Sequence, residues 1–175
     1  LAVPTERTNI NAPATDISGK RLGVARYNAA GMKLDRIEFA RGSWFMPVAG
    51  RKFSTIVANP PYVSDMEYVV HEFELRHEPA LALRGGDDGL ACIKTIIAQA
   101  PRHLFKDGWL AIEHGYRQGA AVEILMREAA ETDNQRVAIG KRRLAVGADL
   151  RQCNLTRETQ FSIRGHVVIL MQVRA

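Results

Sequence analysis

The sequence predicts an α/β fold with a largely parallel sheet. Short apolar runs rich in β-branched residues alternate with segments in which apolar residues recur at helical spacing. This alternation places a helix between successive strands, so the strands can lie side by side in one direction. A length of 175 residues and a hydrophobic fraction of 46% suit one packed domain, which we assign to residues 1–175.

The first strand and the first helix are predicted at residues 10–17 and 20–30. Pro13 weakens the strand because proline donates no backbone hydrogen bond. Ser18 can cap the helix with its side-chain oxygen, and Gly31 is expected to end it. The helix is predicted to bury Leu22, Ala25 and Ala29.

Two more strands are predicted at residues 36–41 and 53–58. In the first of these, Ile37 and Phe39 alternate with polar residues and are expected to point inward. The second is a nearly continuous apolar run, which is typical of a strand buried on both faces. Residues 64–84 are polar and have little regular period, which indicates a loop or a short helix.

A helix is predicted at residues 89–104, capped by Asp87 or Asp88. Its apolar face is predicted to carry Leu90, Ile93, Ile97, Ala100 and Leu104. The glycines just before it, at 85–86, lack the Lys-Ser/Thr ending of a phosphate-binding loop and the spacing of a dinucleotide fingerprint. They are interpreted as a turn into the helix.

The remaining predicted elements are a turn at 106–108, a strand at 109–113, a helix at 118–130 and a final strand at 167–173. The last helix is predicted to bury Val122, Leu125, Met126 and Ala129. The segment 132–164 shows no clear period and is left without an assignment.

Composition excludes several classes of protein. No run of about 18 apolar residues is present, so no membrane span is predicted, and residues 1–7 lack the pattern of a signal peptide. Cys92 and Cys153 are well separated, as expected of reduced thiols in the cytoplasm. These thiols therefore predict a cytoplasmic location. No histidine or cysteine pair has the spacing of metal ligands, so we predict no metal.

The net charge of +5 is compatible with a partner associated with RNA or the ribosome. The basic residues are spread along the chain, and only Lys141-Arg142-Arg143 forms a compact run. This run is interpreted as a solvated loop or helix end, with a partner contact as the alternative. We expect no direct nucleic-acid binding and no membrane partner.

Asn59-Pro60-Pro61-Tyr62 is the most informative motif in the chain. It follows the apolar strand 53–58, so it is expected at the carboxyl end of that strand. The prolines remove two backbone donors, which leaves carbonyl oxygens and the Asn59 amide free to accept hydrogen bonds from a ligand. Tyr62 offers a flat face for a planar group. The motif therefore suits a planar amide or amine.

Three further motifs accompany this one: Glu78-Pro79-Ala80-Leu81-Ala82-Leu83, Gly85-Gly86-Asp87-Asp88-Gly89-Leu90 and Glu113-His114-Gly115-Tyr116. As a set, the motifs resemble the HemK/PrmC family over residues 16–131. Members of that family are S-adenosylmethionine-dependent methyltransferases that modify N5 of a glutamine in peptide chain release factors. The resemblance implies a class I, Rossmann-like methyltransferase sheet, S-adenosylmethionine as cofactor and a release factor as partner.

The resemblance also implies roles for the residues of the motif Asn59-Pro60-Pro61-Tyr62. Asn59 and the carbonyl of Pro60 would accept the two N–H groups of the glutamine amide, and Tyr62 would pack on the amide plane. Asn59, Pro60 and Tyr62 are thus the implied catalytic residues, with Pro61 as a further substrate contact. Glu113 and His114 are interpreted as structural or rim residues, with direct participation as the alternative.

Three cofactor contacts are implied as well: Asp16, Trp44 and Asn59. Asp16 would bond the ribose hydroxyls from the end of the first strand, although capping of the following helix is an alternative. Trp44 would lie beside the adenine, with plain packing as the alternative. Ser43 stands where the family often has an acidic residue, which leaves the contact to the adenine amino group unassigned.

The family's glycine-rich cofactor loop is expected about 20 residues before Asp16, yet no glycine precedes Gly19. The chain is therefore interpreted as an N-terminally truncated methyltransferase domain that lacks the first strand and the glycine loop. Loss of that central strand would leave two ladders of backbone groups unpaired. We accordingly expect an unstable or rearranged sheet that binds S-adenosylmethionine weakly. Residues 151–164 are interpreted as an insertion before the last strand.

Two alternative functions remain open. The first is a non-catalytic or truncated remnant of the family, which the missing glycine loop favours. The second is an amino methyltransferase acting on adenine or guanine in nucleic acid, which the motif and the basic charge allow.

Overall fold

The computed structural model describes residues 12–75, 80–133 and 167–171. Strands and helices alternate along most of this chain. In order they are β1 (Ala12–Asp16), α1 (Gly19–Gly31), β2 (Ile37–Arg41), β3 (Phe53–Asn59), α2 (Asp65–Val70), α3 (Glu72–Leu75), α4 (Ala91–Gln99), β4 (Leu104–Ile112), α5 (Gly119–Asp133) and β5 (Val167–Met171). Short 3-10 turns lie at Met46–Val48, Ala80–Ala82 and Ala100–His103.

The strands form one sheet in the order β2-β1-β5-β3-β4, and every neighbouring pair is parallel. The predicted α/β class with a parallel sheet is therefore confirmed. Helices cover the sheet, and α4 and α5 pack against each other. Among the described helices, none is long and apolar enough to cross a membrane.

The last strand, β5, takes the central place in the sheet. It pairs with β3 from Thr55↔Val167 to Asn59↔Met171, and with β1 at Ala14↔Ile169. The expectation that two ladders would stay unpaired is therefore wrong, because the final apolar run of the chain lies between β1 and β3. Buried backbone groups require partners, and β5 supplies them on both sides. Residues 172–173 of the predicted strand lie outside the described part.

The main core lies between β3, β4, α4 and α5. Its largest fully buried side chains include Phe45, Phe53, Ile56, Ile93 and Ile96. The predicted buried faces are largely confirmed: Leu22, Ala25 and Ala29 on α1, and Val122 and Met126 on α5, are buried. Leu125 and Ala129 are half-buried against the same core.

Strand β2 departs from its predicted burial. Ile37 and Phe39 are only half-buried, because β2 lies at the edge of the sheet. Arg26 covers part of this strand: its guanidinium lies 5.7 Å from the Phe39 ring centroid, and Nη2 donates to the Phe39 carbonyl at 3.0 Å. Phe39 was expected to be buried in the core, but it is instead partly covered by the Arg26 side chain.

Helix α1 begins and ends within one residue of its predicted bounds, but its C-terminal cap differs from the prediction. The Ser18 hydroxyl accepts the Arg21 N–H at 3.3 Å, which confirms the N-terminal cap. The helix runs through Gly31, and Lys33 takes the left-handed conformation with φ +54°. The Leu34 N–H donates to the Ala29 carbonyl at 2.9 Å, which completes a Schellman motif. The helix therefore ends within one residue of the prediction, but the left-handed cap residue is Lys33 and not Gly31.

We expect Lys33→Gly to stabilise the protein by about 0.5–1 kcal/mol, since glycine adopts φ +54° without a Cβ penalty. Thermal unfolding followed by circular dichroism measures the change. Lys33→Ala is the matched control, because it removes the ammonium group but keeps the strained Cβ. A lower melting temperature for the glycine variant would contradict the assignment of the cap.

The helix predicted at 89–104 is shorter in the structure. It spans Ala91–Gln99 and passes into the 3-10 turn that contains Pro101, after which Leu104 opens β4. Pro101 has no N–H for the next α-helical hydrogen bond, so the helix cannot continue.

The start of α4 also differs from the predicted cap. Leu90 stands at the N-cap position and makes no side-chain cap bond. The Asp88 carboxylate accepts the Leu90 N–H at 2.8 Å and pairs with the Lys94 ammonium at 2.6 Å. The Lys94 ammonium and the Leu90 N–H together hold the pKa of Asp88 below its usual value. Asp88 therefore supports the helix start from just outside it.

The predicted turn at 106–108 lies inside β4. Phe53 pairs with Leu104 and Thr55 with Trp109, so β4 carries a bulge between these two points. Residues 64–84 were predicted as a loop or a short helix, and this segment contains α2, α3 and a 3-10 turn. The helix predicted at 118–130 is confirmed as α5.

Candidate functional site

The carboxyl ends of the parallel strands meet at one edge of the sheet. Asp16 ends β1, Asn59 ends β3 and Glu113 follows β4. Thr15 pairs with Leu170 and Asn59 with Met171, so Asp16 and Asn59 flank the end of β5 at the same level. Two strand spacings separate their backbones, which corresponds to about 10 Å. Ligands of open α/β sheets bind at such an edge.

The Asn59–Tyr62 turn leaves this edge with its polar groups available. Pro60 and Pro61 are buried, and Asn59 and Tyr62 are half-buried. Among the described residues, no hydrogen bond reaches the Asn59 side-chain amide or the Pro60 carbonyl. The structure thus presents one amide and one carbonyl oxygen with unused acceptor capacity.

Tyr62 is held at several points. Its hydroxyl donates to Glu113 Oε1 at 3.2 Å, and its ring packs against the main core. Gln118 Nε2 donates to its carbonyl at 2.9 Å. Glu113 is itself anchored, because its N–H donates to the Ala58 carbonyl at 2.9 Å. Glu113, expected on the rim, therefore directly contacts a residue of the motif.

The glycine segment 85–89 packs on the backbone of the motif. A Cβ on Gly85 would lie 2.8 Å from the Pro61 carbonyl oxygen, and one on Gly89 would lie 2.3 Å from the Tyr62 carbonyl oxygen. Gly86 and Gly89 also have positive φ, of +87° and +71°. The predicted turn into the helix is confirmed, and the need for glycine comes from this close approach.

Sequence reasoning missed two of these supports, Gln118 and Gly89. The contacts join residues 56 and 27 positions from Tyr62, so no local period reveals them. The available signal for Gln118 was its position, directly before the predicted last helix and three residues after Gly115. Glu78 and Pro79, which carried part of the resemblance, lie outside the described residues.

The Asp16 carboxylate is engaged inside the protein. Its side chain has no exposed surface, Oδ1 accepts the Ser18 N–H at 2.7 Å, and the Arg21 Nε lies 3.4 Å away. This is the helix-start role named above as the alternative. A ribose at this edge would have to share a carboxylate that already serves the start of α1.

Trp44 follows β2 in a strained backbone conformation with φ +45°. Its carbonyl accepts the Thr15 hydroxyl at 2.9 Å, which ties it to the end of β1. The half-buried side chain packs against the main core. The structure thus brings Trp44 to the same edge as Asp16, with part of the indole used for packing.

His114 is buried beside the site, with 4% of its surface exposed. Its Nδ1 lies 2.9 Å from the Gly115 carbonyl, and Nε2 has no hydrogen-bond partner in the described structure. Within the described residues, no group of three histidine, cysteine or acidic side chains is placed to hold a metal ion. Burial raises the pKa of the Cys92 thiol, which makes that thiol less reactive.

A parallel sheet with helices on its faces, and a polar turn at its carboxyl edge, is consistent with the class I methyltransferase fold. No family model matches the chain. It is 40% identical over 145 residues to the release factor glutamine methyltransferase of Pseudomonas aeruginosa, covering 82% of this chain and 52% of that protein. The enzyme of that name from Neisseria gonorrhoeae is 43% identical over 131 residues, covering 73% and 47%.

The protein of that name from Xylella fastidiosa is 40% identical over 129 residues, covering 74% of this chain and 47% of the relative. The chain therefore belongs to the release factor glutamine methyltransferase family. It spans about half the length of the curated relatives it matches.

Proposed function

We propose that this chain takes part in S-adenosylmethionine-dependent methylation of N5 of a glutamine side chain in peptide chain release factors. The names of its relatives support this substrate class. The observation that carries the proposal is the turn at the end of β3, where the Asn59 amide and the Pro60 carbonyl keep unused acceptor capacity. Because the proposed partner acts in translation, the proposed location is the cytoplasm.

The acceptor glutamine has a planar amide with two N–H donors. Asn59 Oδ1 and the Pro60 carbonyl are the proposed acceptors, and Tyr62 and Pro61 form the surface against the amide plane. Such a pair of acceptors orients the nitrogen lone pair and excludes water, and alignment alone accounts for much of the acceleration of a displacement reaction. The nitrogen would gain the methyl group as the methyl–sulfur bond breaks, and the thioether S-adenosylhomocysteine would leave. The nitrogen would then lose one proton to solvent, so no strong base is required at Asn59 or Pro60.

The cofactor, when bound, supplies an electrophilic methyl group. Asp16, Trp44 and Asn59 are its proposed contacts, and the structure fits that role in part. Trp44 and Asn59 lie at the carboxyl edge with exposed surface. Asp16 Oδ1 already accepts the Ser18 N–H at 2.7 Å and lies 3.4 Å from Arg21 Nε, so a ribose hydroxyl would have to share that oxygen.

The use of Asp16 inside the protein favours a second candidate, a member of the family that has lost catalytic capacity. Calorimetric titration of S-adenosylmethionine separates the two. Micromolar binding supports the catalytic proposal, whereas no binding to a chain with a folded circular dichroism spectrum supports the non-catalytic one.

The direct test is transfer of a radiolabelled methyl group from S-adenosylmethionine to a purified release factor. We expect incorporation into one glutamine, located by mass spectrometry of tryptic peptides. Transfer RNA and duplex DNA serve as parallel substrates. Labelling of either nucleic acid in place of the release factor would replace the proposal with an amino methyltransferase acting on bases.

A further inference from the structure

Gln118 joins three segments that surround the candidate site. Its Nε2 donates to the Tyr62 carbonyl at 2.9 Å and to the Asp88 carbonyl at 3.2 Å. Its Oε1 accepts the Gly115 N–H at 2.8 Å. One side chain thus connects the turn after β3, the glycine segment before α4 and the segment after β4.

The backbone of Gln118 is anchored as well. Its N–H donates to the Gly115 carbonyl at 3.0 Å, and its carbonyl accepts the Val122 N–H at 2.9 Å at the start of α5. The orientation of the amide follows from its partners, because a backbone N–H can only donate and carbonyls can only accept. Oε1 must therefore face Gly115, and Nε2 must face the two carbonyls.

Tyr62 is consequently held at both ends by the segment that follows β4. Glu113 holds its hydroxyl, and Gln118 holds its carbonyl. We propose that Gln118 is a positioning residue that sets the location of Tyr62 and of the neighbouring Pro60 carbonyl for the acceptor amide. The inference rests on the proposed function, and it adds a residue outside the Asn59–Tyr62 turn to the machinery.

Gln118→Glu tests the inference with almost no change in size. The carboxylate still accepts the Gly115 N–H, but its second oxygen faces the carbonyls of Tyr62 and Asp88, where two acceptors repel. We expect kcat for methyl transfer to fall about 10- to 100-fold, because a small displacement of the reacting groups has an effect of this size. The dissociation constant for S-adenosylmethionine should stay unchanged. Protonated glutamate can donate, so activity relative to the unmodified chain should recover as the pH falls towards about 4–5.

Gln99→Glu is the matched control. Gln99 ends α4 away from the site, and among the described residues its side chain makes no hydrogen bond. We expect this variant to keep full activity at every pH. An equal loss in both variants would overturn the inference, because it would report a general effect of the added charge.

Hydrogen–deuterium exchange supplies a readout that needs no catalysis. In Gln118→Glu, amides in residues 62–65 and 85–91 should exchange at least about tenfold faster, with α1 unchanged. Faster exchange without loss of kcat would overturn the positioning role, as would unchanged exchange. If the unmodified chain transfers no methyl group at all, the proposed function fails. Hydrogen–deuterium exchange then still shows whether Gln118 holds the Asn59–Tyr62 turn in place.

Discussion

Replacement of Asn59 by alanine is expected to reduce methyl transfer to a release factor by at least about 100-fold. Asn59 has the only side-chain amide oxygen of its turn, and it ends β3 at the carboxyl edge of the sheet, where we propose that the glutamine amide binds. Its amide makes no hydrogen bond among the described residues, so its removal breaks none there. The melting temperature should therefore stay within about 2 °C of the original value.

Asn28→Ala provides the control for this measurement, because Asn28 is an exposed residue on α1, distant from the edge. It should leave the rate unchanged. Radiolabel transfer at saturating substrate measures both variants, with thermal unfolding run in parallel. An Asn59→Ala chain that methylates at the original rate would remove the acceptor role from this residue.

Replacement of Gly89 by alanine is expected to destabilise the protein by about 2–4 kcal/mol. A Cβ there lies 2.3 Å from the Tyr62 carbonyl oxygen and 2.5 Å from Gln118 Nε2, so backbone and side chain must both move. The backbone is also in the left-handed region, at φ +71°, which costs an alanine about 1–2 kcal/mol. Methyl transfer should fall as well, because the displaced carbonyl belongs to the proposed acceptor turn.

Gly50→Ala separates the two causes. Gly50 has φ +75°, but a Cβ added there would meet no described atom within 4 Å, so this variant carries the backbone strain without the collision. Chemical denaturation of the two variants gives the difference in the free energy of unfolding. Equal losses would mean that the close contact between Gly89 and Tyr62 contributes nothing.

Much of the fold was predictable because it depends on neighbouring residues. The cap at Ser18, the apolar face of α5 and the continuous run of β3 follow from local hydrogen bonding and from side-chain period. The Asn59–Tyr62 turn lies at the carboxyl edge of the sheet because it directly follows β3 in the chain. These features can be predicted without knowing which strands are neighbours in the sheet.

Pairing partners were not predictable in the same way. The nearly continuous apolar run at residues 167–173 indicated a strand, but it carries no information on which strands will flank it. The structure inserts β5 between β1 and β3, where a different strand was expected, because the backbone groups of both neighbours require partners. The contact of Gln118 with Tyr62 depends in the same way on how distant segments come together.

The sequence by itself determined the α/β class, the positions of most helices and strands, the family and the place of the Asn59–Tyr62 turn. The tertiary structure decided the order of the strands, the engagement of Asp16 by Ser18 and Arg21, and the support of Tyr62 by Gly89 and Gln118. The physical reason is range: propensity and capping act within about one helical turn, whereas ladders, close approaches and side-chain bridges join residues far apart in the chain.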